Sequence, residues 1–196
     1  NLSLKSGLKV TFVGRTGVGK STLFKLIMGL LKPTKGSITI NGFDVIGIPN
    51  FEKRKIFGYV DQSFHMIKGT VGEQISLQDK SITKEQIENA LDFVGLLDYV
   101  QALENGIDTE VKGDTLFSQG QKQLLSIARA IVTDPPILLL DEITANLDSI
   151  TEEKIVGVLQ KASSSHTVLS ISHRLSSMFA SDMVVILEDG MVKNAG

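Results

Sequence analysis

Residues 117–148 read FSQGQKQLLSIARAIVTDPPILLLDEITANLD. Ser118 and Gln121 stand at capping-box spacing, so a helix opens here. Leu124, Ile127 and Ile131 continue at helical spacing. Pro135 and Pro136 end the helix, because proline lacks the amide hydrogen and clashes with the preceding turn. The run ILLLD at 137–141 is apolar enough for a strand buried on both faces. It delivers two carboxylates, Asp141 and Glu142, at its C-terminal end. In open α/β sheets that edge is where ligands bind. A capped helix feeding a buried strand tipped with acids sets the fold class as α/β.

The same alternation extends outward. Downstream, a helix is expected over residues 150–161 and strands over 167–171 and 183–187. Upstream, LKVTFV at 8–13 reads as a buried strand and residues 14–21 as a loop. A helix over 20–31 carries Leu23, Ile27 and Leu30 at helical spacing. Residues 37–45 read as strand and turn, and 56–60 as another strand. Thr83 and Gln86 form a second capping box ahead of Ile87, Ala90, Leu91 and Val94, with Gly95 as the stop. Strands alternating with helices imply a mostly parallel sheet. Residues 63–135 read as a helical insertion forming its own lobe, leaving a core of about 1–62 and 136–196.

Bulk properties narrow the classes. The chain has 196 residues, 42% of them hydrophobic and 21% charged, as in a single well-cored domain. A net charge of −2 gives no nucleic-acid footprint, so no nucleic-acid partner is expected. With no cysteine there is neither a disulfide framework nor thiol chemistry. No apolar run approaches the roughly 20 residues of a membrane helix.

Gly14-Arg15-Thr16-Gly17-Val18-Gly19-Lys20-Ser21 fits the pattern G-x-x-x-x-G-K-[ST]. Glycines let backbone amides turn inward around phosphate oxygens, and the following helix points its positive end at the same charge. Lys20 reaches the β- and γ-phosphates, and the Ser21 hydroxyl can ligate Mg²⁺. With a phosphate loop in the chain, Asp141 gains a role, holding Mg²⁺ through water. Glu142 gains one as the general base that polarises an attacking water. The bland alternatives are a glycine-rich turn and a solvated acidic turn, and their conjunction in one chain argues against both.

With these motifs in order, the chain resembles an ATP-binding cassette (ABC) ATPase, the nucleotide-binding domain of a transporter. Residues 14–21 resemble the Walker A loop, Gln62 in Val60-Asp61-Gln62-Ser63 the Q-loop, and Phe117-Ser118-Gln119-Gly120-Gln121 the signature motif. Residues 137–142 resemble Walker B, and Ala145-Asn146-Leu147-Asp148 the D-loop. His173 in Ser170-Ile171-Ser172-His173-Arg174 resembles the switch histidine. The resemblance implies a P-loop core with an inserted α-helical subdomain, and ATP and Mg²⁺ as ligands. It also implies a head-to-tail dimer in which each ATP lies between the Walker A loop of one domain and the signature of the other. Ser118 and Gly120 would then contact the γ-phosphate in trans. Nucleotide contact would extend to Thr22, Gln119, Gln121 and Asp148. His173 would hold Glu142 and the water in line, and Gln62 would bring its side-chain oxygen to Mg²⁺. Taken alone, Ser118 and Gln121 are explained as a helix cap, and Gln62 as a surface polar residue.

Lys68-Gly69-Thr70-Val71-Gly72-Glu73-Gln74-Ile75, Thr109-Glu110-Val111 and Ser172-His173-Arg174-Leu175-Ser176-Ser177 resemble the exporter form of the family. The partner expected is therefore an exporter's transmembrane domain, preceding residue 1, which places the domain at the cytoplasmic face of a cell membrane. The family's departures here are Lys112-Gly113-Asp114 in place of Glu-Arg-Gly, Gln119 for the first signature glycine, and Gln74 where Asn is frequent. The adenine-stacking aromatic of the family would lie upstream of Asn1, since Tyr59 and Tyr99 fall in other regions. The chain reads as a core trimmed at both ends. An importer ATPase and a soluble ATPase of the same family are the competing readings, and the cargo is not written in these residues.

Overall fold

A computed structural model of the chain describes residues 2–113, 115–143, 147–172 and 181–195. Six strands form the main sheet: β1 (Lys9–Val13), β4 (Phe57–Val60), β5 (Ile137–Asp141), β6 (Thr167–Ile171), β7 (Met183–Glu188) and β8 (Met191–Ala195). Their order is β4-β5-β6-β1-β7-β8. All neighbours pair parallel except β7 and β8. A separate antiparallel hairpin joins β2 (Thr39–Ile40) to β3 (Phe43–Asp44). The helices are α1 (Lys20–Ile27), α2 (Asn50–Ile56), α3 (Val71–Ser76), α4 (Lys84–Phe93), α5 (Leu97–Gln101), α6 (Gln119–Ile131) and α7 (Ser149–Ala162).

Side-chain alternation along the central strands builds two cores. Leu138 and Leu140 of β5 and Val168 of β6 join a cluster with Val71, Ile75, Leu91, Leu125, Ile127 and Ile155. Leu139, Leu169 and Ile171 face the opposite way, into a cluster with Val10, Phe12, Phe24 and Val185. The pleat sends successive residues to opposite faces, so one apolar run serves both. Phe12 and Phe24 meet edge to face, with centroids 6.1 Å apart, and fix α1 against β1. Each such fully buried side chain contributes about 1.5–3 kcal/mol.

β5 and β6 have the expected limits, and both capping boxes form in full, at Thr83–Gln86 and Ser118–Gln121. α1 is shorter than expected. It ends at Ile27 with Met28 as its cap, because Gly29 has φ +63° and lies against the Val45 carbonyl. Leu30 is consequently exposed rather than on a helical face. Helices α2, α3 and α5 and strand β8 have no counterpart in the sequence reading.

The parallel register brings the C-terminal ends of β4, β5, β6, β1 and β7 to one edge of the sheet. The phosphate loop follows β1 at that edge, Gln62 follows β4 and Glu142 follows β5. Among the described residues, no helix is long and apolar enough to cross a membrane.

Candidate functional site: a phosphate loop facing a carboxylate

The loop after β1 is shaped by its glycines. Gly17 and Gly19 have φ of +84° and +106°, in the left-handed region that favours glycine. Gly14 is required for a different reason: a Cβ there would lie 2.5 Å from the Leu187 carbonyl oxygen. The loop therefore packs directly on β7. Residues 14–18 and 186–190 line a cleft of about 550 Å³. The wall formed by the β7–β8 turn was not legible in the sequence.

Gly19 caps α1 and offers no side-chain acceptor to the first turn. The leading amides of an eight-residue helix thus face the loop without a side-chain cap, an arrangement suited to an anion. Lys20 is buried, and its Nζ donates to the carbonyls of Gly14 at 2.9 Å and Arg15 at 3.2 Å. The ammonium is folded under the loop it is expected to serve.

Asp141 is buried at the end of β5. Tyr59 Oη donates to its Oδ2 at 3.3 Å, and the Ser21 side chain lies near enough to favour its charged form. Burial pushes the Asp141 carboxyl above the usual carboxylate range. The Ser21 and Tyr59 side chains oppose that shift, and the charges of Asp61 and Glu142 add to it. The Tyr59 hydroxyl is also raised, first by burial and then by Asp141 and Asp61. The Ser21 hydroxyl and the Asp141 carboxylate are oxygen donors of the kind that Mg²⁺ takes. Tyr59 was not anticipated here. Its register partner on β5 is Leu139, two residues short of Asp141, so only the tertiary pairing reveals the contact.

Glu142 has φ +49°, unusual for a non-glycine residue, while its amide donates to the Ile171 carbonyl at 3.1 Å. Such a conformation costs on the order of 1–3 kcal/mol and concentrates at functional sites. It turns Glu142 away from the strand path beside Asp141. Gln62 is exposed, its amide accepted by Asp61 Oδ1 at 2.8 Å. His173 and the D-loop residues Ala145 and Asn146 lie outside the described residues.

The signature residues cap α6. Ser118 Oγ accepts from the Gln121 amide at 3.2 Å, and Gln121 Oε1 accepts from the Ser118 amide at 2.8 Å. Ser118 and Gln119 are exposed. Gly120 lies against α7, where an added Cβ would overlap Thr151 Cγ2. Thr151 in turn donates to Asp148, through its amide at 3.0 Å and its hydroxyl at 2.6 Å. Asp148 and Gly120 are thus brought together through one threonine, a link absent from any local pattern.

Two of the three exporter-like segments also meet, and residues 173–177 of the third lie outside the described residues. Val71 donates to the Thr109 carbonyl at 3.0 Å, and Val111 to the Gly69 carbonyl at 2.9 Å. Thr70 and Glu110 form the bridge between them.

Residues 1–145 match the family model described as ABC transporter. The chain is 37% identical over its full length to a probable multidrug resistance ABC transporter ATP-binding/permease protein of Bacillus subtilis, covering 29% of that protein. It is 35% identical, again over its full length, to the ATP-dependent lipid A-core flippase of Escherichia coli, covering 34% of it. Among solved structures, a bacterial Atm1-family ABC exporter with ATP bound superposes with a TM-score of 0.84 at 34% identity, over 97% of this chain and 34% of the other. The chain thus spans about a third of the length of the relatives it matches.

Proposed function

We propose, for a chain that belongs to the ABC transporter family, that it binds and hydrolyses ATP as the motor domain of an exporter. The carrying observation is the meeting of Ser21, at the end of the phosphate loop, with buried Asp141, at the end of β5. It joins the Walker A and Walker B residues across the strand edge.

In this reading the triphosphate lies over the amides of residues 14–21. Lys20 exchanges the Gly14 and Arg15 carbonyls for β- and γ-phosphate oxygens. Arg15, Thr16, Val18 and Thr22 supply backbone and hydroxyl contacts along the loop. Ser21, Asp141 and Gln62 would hold Mg²⁺, which neutralises phosphate charge when bound. Glu142 takes a proton from water as the oxygen attacks the γ-phosphorus, the bond to the β–γ bridging oxygen breaks and ADP leaves with that oxygen, and His173 holds water and base in line. Ser118, Gln119, Gly120, Gln121 and Asp148 face the nucleotide of a second copy or partner domain, head to tail. The uncapped amides of α1 and the exposure of Ser118 support such a two-sided site.

The partner beyond the dimer is a transmembrane domain, and the working position is the cytoplasmic face of a membrane. Residues 63–135 act as the helical lobe that meets that partner. The paired segments at 69–71 and 109–111 support the exporter assignment, because two stretches of exporter character form one bridged element.

The test is light scattering on Glu142→Gln with and without Mg-ATP. Loss of the base with retention of shape should trap the nucleotide sandwich, giving an ATP-dependent shift from monomer to dimer. Nucleotide bound without any shift, in this domain and again with its upstream segment restored, would remove the trans role of Ser118 and Gly120.

A further inference from the structure

Arg129 sits in the last turn of α6, the helix whose first turn is the signature motif. Its Nε donates to the Gln74 carbonyl at 2.6 Å and its Nη1 to the His65 carbonyl at 3.3 Å. Its guanidinium lies 4.2 Å from the centroid of the Phe64 ring. Phe64 and His65 follow Gln62 by two and three residues. Burial, with a smaller contribution from Arg54, lowers the guanidinium to about 10. Its Nη2 is buried with no acceptor among the described residues.

Gln74 completes the arrangement. It is fully buried, its Oε1 accepts from the Ile67 amide at 2.8 Å, and its Nε2 donates to the carbonyls of Ile67 at 2.9 Å and Thr70 at 3.2 Å. Its side chain fixes residues 67–70, while its own carbonyl is fixed by Arg129. The segment 64–70 is therefore bracketed to α6. On the other side of Gln62, Val60 belongs to β4. Asp61, Gln62 and Ser63 form the span between the sheet and this bracket.

The simple structural alternative is that Arg129 caps the last carbonyls of α3. Arg54 already does so, donating to Ile75 at 2.7 Å and Ser76 at 2.5 Å. Arg129 differs by reaching Phe64 and His65. A desolvated cation is a poor choice for stability, since an apolar side chain of similar volume is often as good or better there.

We infer that Arg129 is a positioning residue: by holding residues 64–70 to the signature helix, it sets where Gln62, just ahead of that segment, is presented to the phosphate loop. This rests on the proposed catalytic role of Gln62.

The experiment compares Arg129→Met, Arg129→Lys and Phe64→Leu in the full-length protein, each alone and combined with Gln62→Ala, with Arg54→Met as the capping control. Arg129→Met and Phe64→Leu should lower kcat about tenfold while KM for ATP stays within about threefold, the pattern of an interaction used after substrate binds. Arg129→Lys should recover part of the loss, and Arg54→Met should lower Tm without that drop in kcat. In the Gln62→Ala background the Arg129 and Phe64 changes should have no further effect. Losses that add to the Gln62→Ala loss, or unchanged kcat in folded variants, overturn the inference while leaving Gln62 its role. If Gln62→Ala itself turns over normally, the Gln62 reading fails and the inference with it. Should Arg129→Met not fold, Arg129→Lys and Phe64→Leu carry the same comparison.

Discussion

Gly120 in the signature turn and Thr151 on α7 are so close that a methyl group on Gly120 would overlap the Thr151 methyl. Helix packing alone therefore calls for a glycine here. Gly120→Ala should destabilise the folded chain by about 1–3 kcal/mol through overpacking, read as a lower Tm in the absence of ATP. Thr151→Ser removes the offending methyl and keeps the hydroxyl that serves Asp148. In that background Gly120→Ala should regain most of the lost stability. A Gly120→Ala protein as stable as wild type would show that α6 and α7 do not pack this closely.

Asp148, the other partner of Thr151, has its carboxyl held below the usual range by the Thr151 hydroxyl, then by the Thr151 amide. A depressed folded pKa means the folded state favours the charged form. Its contribution to stability is present above the unfolded pKa of about 4 and is lost as pH falls through the lower folded value. Wild type should therefore exceed Asp148→Asn in Tm near neutral pH, and the gap should close in acid. A gap that is constant with pH would mean the cap acts through its hydrogen bonds alone.

These two contacts mark the limit of what was legible. The apolar runs ILLLD and TVLSI gave β5 and β6 their ends because buried parallel strands need little else. The capping boxes at Thr83 and Ser118 were legible because they close within four residues. Helices α2 and α5, of seven and five residues, are too short for a helical period to stand out; α3 is as short, but its capping box, Thr70 with Glu73, was a local signal that would have found it. α1 was overextended because Leu30 kept the period while Gly29, against the Val45 carbonyl, ended it. In the site, Lys20, Ser21 and Asp141 carry their chemistry in local motifs. Tyr59, Arg129 and Thr151 act on groups 82, 55 and 31 or more residues away, respectively, which no local pattern encodes.

The pairing of residues 69–71 with 109–111 depends on the Val111 amide, which Gly69 accepts. Val111→Pro removes that donor. One hydrogen bond is worth about 0.5–1.5 kcal/mol, so the fold should survive. Amide exchange at Val71 should accelerate as the neighbouring bond to Thr109 loosens, while ATP affinity stays unchanged. Exchange at Val71 no faster than in wild type would show that the two segments hold their places independently.

Lys20 is the last case, because its ammonium has two uses. It bonds the Gly14 and Arg15 carbonyls; in its proposed role it would give these up for phosphate oxygens when ATP binds. The net gain is that of a charge-assisted bond, about 1.5–3 kcal/mol. Lys20→Met should then weaken ATP binding by about one to two powers of ten, measured by nucleotide titration. Adenosine, which has no phosphate, should bind the variant and the wild type alike. Lys20→Arg should not restore affinity, since a planar guanidinium does not fit the buried space of a flexible stem and compact ammonium. Equal losses for ATP and adenosine would mean that Lys20 only holds the loop in shape; unchanged ATP affinity would remove the phosphate role altogether.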